Sequence, residues 1–247
     1  MKVALGVEYF GKNFYGWQIQ KSGLRTVQSE VESALSKVAN HPGRVFCSGR
    51  TDSGVHAVEQ VIHFETETNR TNRAWLFGGN VNLPSDVNFK WVKVVSEDFH
   101  ARFSAFARLY EYKIHRHPVR SSLKADYFLW EPRTLNVEDM KEAAALLLGE
   151  HDFSCFRGSL CQAKSPIKTV EHIQIKTFED ELILSIKANA FLHHMVRNIV
   201  GTLLKIGRGE KSVEWMSSVL ASKDRKKAGP TAEPQGLYFI KAFYKEI

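Results

Sequence analysis

The chain has 247 residues, 43% hydrophobic and 25% charged, which suits a folded protein with a full core and argues against a disordered or low-complexity one. Its apolar runs are too short to span a bilayer and its N-terminus enters an alternating pattern at once, so neither a membrane anchor nor a secretory leader is expected. A net charge of +7 points to a polyanionic partner such as nucleic acid, and three widely spaced cysteines make no disulfide framework, so the expected compartment is the reducing cytoplasm.

Alternating residues predict a strand over 3–10, and Val27, Val31, Ala34, Leu35 and Val38 recur at helical spacing over 26–39. Strand-like runs at 44–49 and 58–66 flank a glycine-bracketed turn. A helix-like stretch over 71–79 and a strand over 87–95 complete the order β-α-β-β-α-β, the split βαβ or ferredoxin-like arrangement. The second half repeats this order: a strand at 108–116, a helix capped by Asn136 and ending near Gly149, and an antiparallel pair over 170–190 turning at Glu179-Asp180. An amphipathic helix over 192–206, a helix over 212–222 and a strand over 236–244 follow. The expected fold class is therefore α+β, a duplication with halves at 1–104 and 105–247. The connection at 96–105 is too rich in aromatic and basic residues to be a passive tether, and there His100 and Arg102 are candidate substrate contacts.

The turn between the strand-like runs reads Gly49-Arg50-Thr51-Asp52-Ser53-Gly54-Val55-His56-Ala57. One carboxylate sits between glycines that let a ligand approach the backbone, and Asp52 either caps its own turn or projects as a reactive group. Arg50, two positions earlier, carries a guanidinium able to orient a carboxylate. Tyr110 and Tyr112 share one face of the strand at 108–116, where at least one belongs to the core, and Tyr110 either packs there as well or stacks on an unpaired base. In the helix from 192, His193, Arg197, Gly201 and Lys205 recur at four-residue intervals, either as a solvated stripe or as part of a site, and Gly201 permits close packing. Arg116, Lys164 and Lys168 are candidate phosphate contacts, the last two in a cationic loop at 155–168. The cluster of Lys223, Arg225, Lys226 and Lys227 reads as surface charge.

His151, Cys155, Cys161, His193 and His194 lack the spacing of a structural zinc site, so no metal is expected. No dinucleotide fingerprint or phosphate loop points to a redox or nucleotide cofactor. An RNA-binding module without catalysis would be expected to carry an RNP1 strand, and none is present.

The nonapeptide at 49–57 resembles the catalytic-aspartate motif of the tRNA pseudouridine synthase I family, Gly-Arg-Thr-Asp-(Ala/Ser)-Gly-Val-His. The similarity extends to Tyr9, Gly16-Trp17-Gln18, residues 99–112, residues 188–201 and Gly236-Leu237-Tyr238. Departures are Ser53, where many relatives carry alanine, and the loop at 117–124, which differs in length and charge. The resemblance implies two ferredoxin-like halves sharing a mixed, mostly antiparallel sheet with a central catalytic cleft. It implies that Asp52 is the essential aspartate, that Arg50 helps extrude the target nucleotide, that Tyr110 packs on the target base and that Arg197 pairs with the aspartate. The implied reaction is isomerisation of uridines 38, 39 and 40 in the tRNA anticodon stem-loop, without cofactor, by a homodimer.

Overall fold

In the computed structural model, which describes residues 1–20 and 23–247, the chain divides into two units: Met1–Phe106 with Tyr238–Ile247, and Ala107–Leu237. In the first unit, β1 (Lys2–Tyr9) lies between β3 (His56–Glu65) and β4 (Val87–Val95), antiparallel to both, with Leu5 opposite Ile62 and Val92. A two-residue strand β2 (Phe46–Cys47) adds to the far side of β3, Phe46 opposite His63. With α1 (Val27–Ala39) after β1 and α2 (Asn72–Asn82) after β3, the order β4-β1-β3-β2 is the split βαβ arrangement. The arm before the turn is shorter than the predicted 44–49, because from Gly49 onward the chain bonds to the Gln60 side chain rather than to a ladder partner.

Both helices begin where a hydroxyl satisfies a first-turn amide. Thr26 and Ser29 form a reciprocal capping box, and Thr71 accepts from the Ala74 amide at 3.2 Å. α1 buries Val27, Val31, Ala34, Leu35 and Ala39, while Trp75 of α2 meets Phe64 of β3 edge to face at 5.2 Å. The opposite face of the sheet is covered too: Ala4 and Val61 pack with Phe99 and Ala101, and Tyr244 and Ile247 close over them. The Tyr244 hydroxyl donates to the Ala101 carbonyl at 2.6 Å. Burial on both faces explains why β1 reads as a nearly continuous apolar run.

The last strand, β10 (Leu237–Phe243), pairs in parallel with β3, Tyr238 opposite His56. Residues 238–247 group with the first unit, whereas a division at 104/105 places them in the second half.

The second unit holds the antiparallel order β5 (Ala107–Arg116), β9 (Glu181–Ala188), β8 (Ile167–Phe178), β7 (Gly149–Asp152), with β6 (Leu129–Glu131) parallel to the end of β5. β8 and β9 form a hairpin turning at Glu179 and Asp180, Glu179 in left-handed backbone at φ +49. α3 (Val137–Ala145), capped by the Asn136 side chain, follows β5 and β6, and α4 (Met195–Gly207) follows β9, so the βαββα order of the first unit recurs with two short strands, β6 and β7, added. α4 starts three residues later than predicted, since His194 adopts φ +63 and cannot join the first turn. Its Ile199, Leu203 and Ile206 are fully buried, each such side chain stabilising the fold by about 1.5–3 kcal/mol. α5 (Glu214–Ser222) buries Met216 and Val219. The mixed α+β class, mostly antiparallel with parallel pairs at β3/β10 and β5/β6, is as expected. Among the described residues, no helix is long and apolar enough to cross a membrane.

Candidate active site

Asp52 lies on the loop 48–55 between β2 and β3, and that loop is held from behind along its length. The side chain of Gln60, fully buried in β3, accepts from the Gly49 amide at 3.3 Å and from the Ser48 hydroxyl, and donates back to the Gly49 carbonyl. The Trp17 amide donates to the Thr51 carbonyl at 3.0 Å, and Thr51 Oγ1 shares a 2.7 Å hydrogen bond with the Tyr9 hydroxyl. Beyond Asp52 the chain turns: the Val55 amide donates to the Asp52 carbonyl at 3.2 Å, with Gly54 at φ +79, a left-handed conformation that glycine adopts without strain. The Ser53 hydroxyl and the Gly54 amide both donate to the Phe14 carbonyl. Gly16 passes so close that a Cβ there would stand 2.8 Å from the Thr51 carbonyl oxygen.

Residues 9–17 thus form the bed of the loop, a role no periodicity announced. Asp52 is half-buried and Arg50 is exposed. A carboxylate on so fixed a backbone loses little freedom on meeting a substrate from the solvent side, which is what nucleophilic or proton-transfer chemistry requires.

Arg50 and Arg102 both act on Cys47, whose thiol burial pushes up to about 12 despite the two guanidiniums, so it remains a protonated, structural sulfur. His100 lies in a tight turn in which its Nδ1 accepts from the amides of Arg102 at 3.1 Å and Phe103 at 3.4 Å. Burial lowers the pKa of His100, and that of His63 more strongly, to about 4, with the charges of His100 and Lys2 adding to the effect.

In the second unit, Tyr110 stands on β5 opposite Ile186 and packs edge to face on Phe191 at 4.9 Å. Tyr110 is buried, and Tyr112, two residues on, is more completely so: its hydroxyl donates to the Glu233 carbonyl at 2.7 Å, and burial raises its pKa while the charge of Arg197 opposes the rise. Arg197 extends from the first turn of α4, its Nε donating to the Ala232 carbonyl at 2.7 Å. The same segment runs against Gly201, where a Cβ would meet the Pro230 carbonyl oxygen at 1.7 Å, so Gly201 admits a loop rather than another helix.

The expected phosphate contacts divide. Lys164 is exposed. Lys168 is buried and its ammonium donates to the carbonyls of Ser165 at 2.6 Å and Ile167 at 2.7 Å, which braces the loop that carries Lys164. Arg116 donates from Nη2 to the Glu179 carbonyl at 3.0 Å and ties β5 to the β8–β9 turn.

Sequence reasoning missed the support of α4. Asn198, fully buried, donates to the Phe156 carbonyl at 2.8 Å and accepts from Arg225 at 2.9 Å and the Thr231 hydroxyl at 2.6 Å. Arg225 also donates to the Gly229 carbonyl at 2.8 Å, so it is an internal clamp and not part of a surface cluster. The one available signal was polar Asn198 and Thr202 at four-residue spacing inside an apolar helix.

The model of the family described as tRNA pseudouridine synthase matches residues 6–104 and 143–245. The tRNA pseudouridine synthase A of Methylococcus capsulatus is 51% identical over 246 residues, covering 100% of this chain and 90% of that protein. That of Actinobacillus succinogenes is 52% identical over 246 residues, covering 100% and 93%, and that of Pseudomonas aeruginosa 48% over 243 residues, covering 98% and 85%. With its split βαβ units, its fixed aspartate turn and full-length relatives at about half identity, this chain belongs to the tRNA pseudouridine synthase family.

Proposed function

We propose that this protein converts uridines 38, 39 and 40 of the tRNA anticodon stem-loop to pseudouridine, acting as a cytoplasmic homodimer. The reaction breaks the bond from N1 to the sugar C1′, rotates the base and joins C5 to C1′; the C5 proton leaves to solvent and N1 gains one, so no electrons are exchanged. Asp52 is the essential carboxylate, whether it attacks C1′, adds to the base or removes a sugar proton, and each route needs it charged. Arg50 assists extrusion of the nucleotide, since chemistry on a paired base requires taking it out of the stack. Tyr110 packs on the extruded base, and Arg197 positions the Asp52 carboxylate. His100, Arg102 and Lys164 engage the RNA, while Lys168 and Arg116 serve through the segments they brace.

The observation that carries this reading is the Asp52 loop itself, a motif of the family held by Trp17, Tyr9, Phe14 and Gln60. The test is release of tritium from unmodified tRNA labelled at uridine C5, without added cofactor. Wild type is expected to release label and Asp52→Ala to release none while keeping its fold and most of its tRNA affinity. Turnover of Asp52→Ala near the wild-type rate would reject Asp52 as the essential group.

A further inference from the structure

On the first unit, Phe46, His100 and Phe103 make one continuous aromatic surface: the rings of His100 and Phe103 are 4.4 Å apart and those of Phe46 and His100 5.5 Å. Phe103 is 75% exposed and Phe46 42%. Phe46 and His100 are nevertheless anchored, His100 through the amides that donate to its Nδ1. The Phe46 ring stacks at 5.1 Å on buried His63, which meets Phe99 of the core edge on and whose Nδ1 accepts from the Ala101 amide at 3.1 Å. Arg44 stands 5.6 Å from the centroid of Phe46, and Arg102 stands 5.6 Å from that of Phe103. Single exposed aromatics are ordinary, but a contiguous group anchored at Phe46 and His100 and flanked by guanidiniums has the composition that unpaired nucleic acid takes, with flat faces for bases and positive charge for phosphates.

We propose that this surface is a stacking platform for an unpaired nucleobase of the tRNA substrate near the target uridine, with Arg44 and Arg102 engaging the adjoining phosphates. The assignment rests on the tRNA-modifying reading above. Phe46 precedes Asp52 by six residues, so the platform begins within about 22 Å of the aspartate even along a fully extended chain. Because every base presents a π-face, the platform selects for an unpaired nucleotide and not for a particular base.

Phe103 is exposed, so its replacement leaves the core intact, and Phe103→Ala, Phe103→Leu and Phe103→Trp can be compared directly. Each protein is titrated against an anticodon stem-loop RNA carrying 2-aminopurine at the unpaired position beside the target uridine. Phe103→Ala and Phe103→Leu should bind about tenfold more weakly and lose the fluorescence quenching that stacking produces, and Phe103→Trp should recover both. Wild-type affinity and quenching in Phe103→Ala and Phe103→Leu would overturn the platform. So would sedimentation showing that Phe103→Ala splits a dimer, which would assign the surface to a second copy of the chain. Wild-type protein that binds this RNA with quenching but releases no tritium from labelled tRNA would refute the catalytic reading while leaving the platform standing.

Discussion

At Asp52 the positioning is done by backbone atoms of a distant segment: the Trp17 amide and the Phe14 carbonyl meet the loop on either side of the aspartate. His63 shows a second kind of residue-level control, a buried imidazole with its pKa lowered to about 4 by desolvation and then by the charges of His100 and Lys2. An unfolded histidine takes up a proton near pH 6.5, whereas the folded one resists until about pH 4, so the unfolded state binds more protons across that window and stability falls as pH falls through it. Asparagine at this position can still accept from the Ala101 amide but does not titrate. Urea midpoints measured between pH 7 and 4.5 should therefore drop less steeply for His63→Asn than for wild type; superimposable profiles would mean that His63 contributes nothing to the acid sensitivity.

At the level of elements, α4 is the one whose polar interior matters most. Asn198 joins the carbonyl of Phe156, the guanidinium of Arg225 and the hydroxyl of Thr231, and Thr202 bonds both to the Asn198 carbonyl and to the Gly229 amide. This network fixes the helix one residue beyond Arg197 and presses the segment at 229–232 against Gly201. Asn198→Leu keeps the branched shape but leaves three hydrogen-bond partners without Asn198, and it should cost about 3 kcal/mol in urea denaturation. Turnover in the tritium assay should fall with it, since Arg197 loses its fixed seat; full turnover in the folded variant would separate the network from the role of Arg197.

At the scale of the whole molecule, the charge of +7 becomes useful only where cations are exposed. Two of the cations singled out for RNA, Lys168 and Arg116, donate to backbone carbonyls, Lys168 from a buried position, and Lys164 is the exposed candidate of its loop. Lys164→Ala should weaken tRNA binding and reduce the slope of log affinity against log salt by roughly one phosphate contact, and an unchanged slope would remove it from the interface.

The order of the longer elements, the position of the aspartate turn and the family were legible in the residues alone, because each is written in local spacing or in a contiguous motif, whereas the short strands β6 and β7 carry too few residues to show a period. Helix starts at Thr26, Thr71 and Asn136 were legible for the same reason, a capping side chain next to an apolar repeat. Tertiary structure decided what depends on partners far apart in the chain. The pairing of β10 with β3, the bed that residues 9–17 make for Asp52, the clamp of Arg225 on Asn198 and the inward turn of Lys168 all rest on contacts that no period encodes. A charged side chain reads alike in sequence whether water or a buried carbonyl receives its hydrogen bonds, and only the packed chain distinguishes the two.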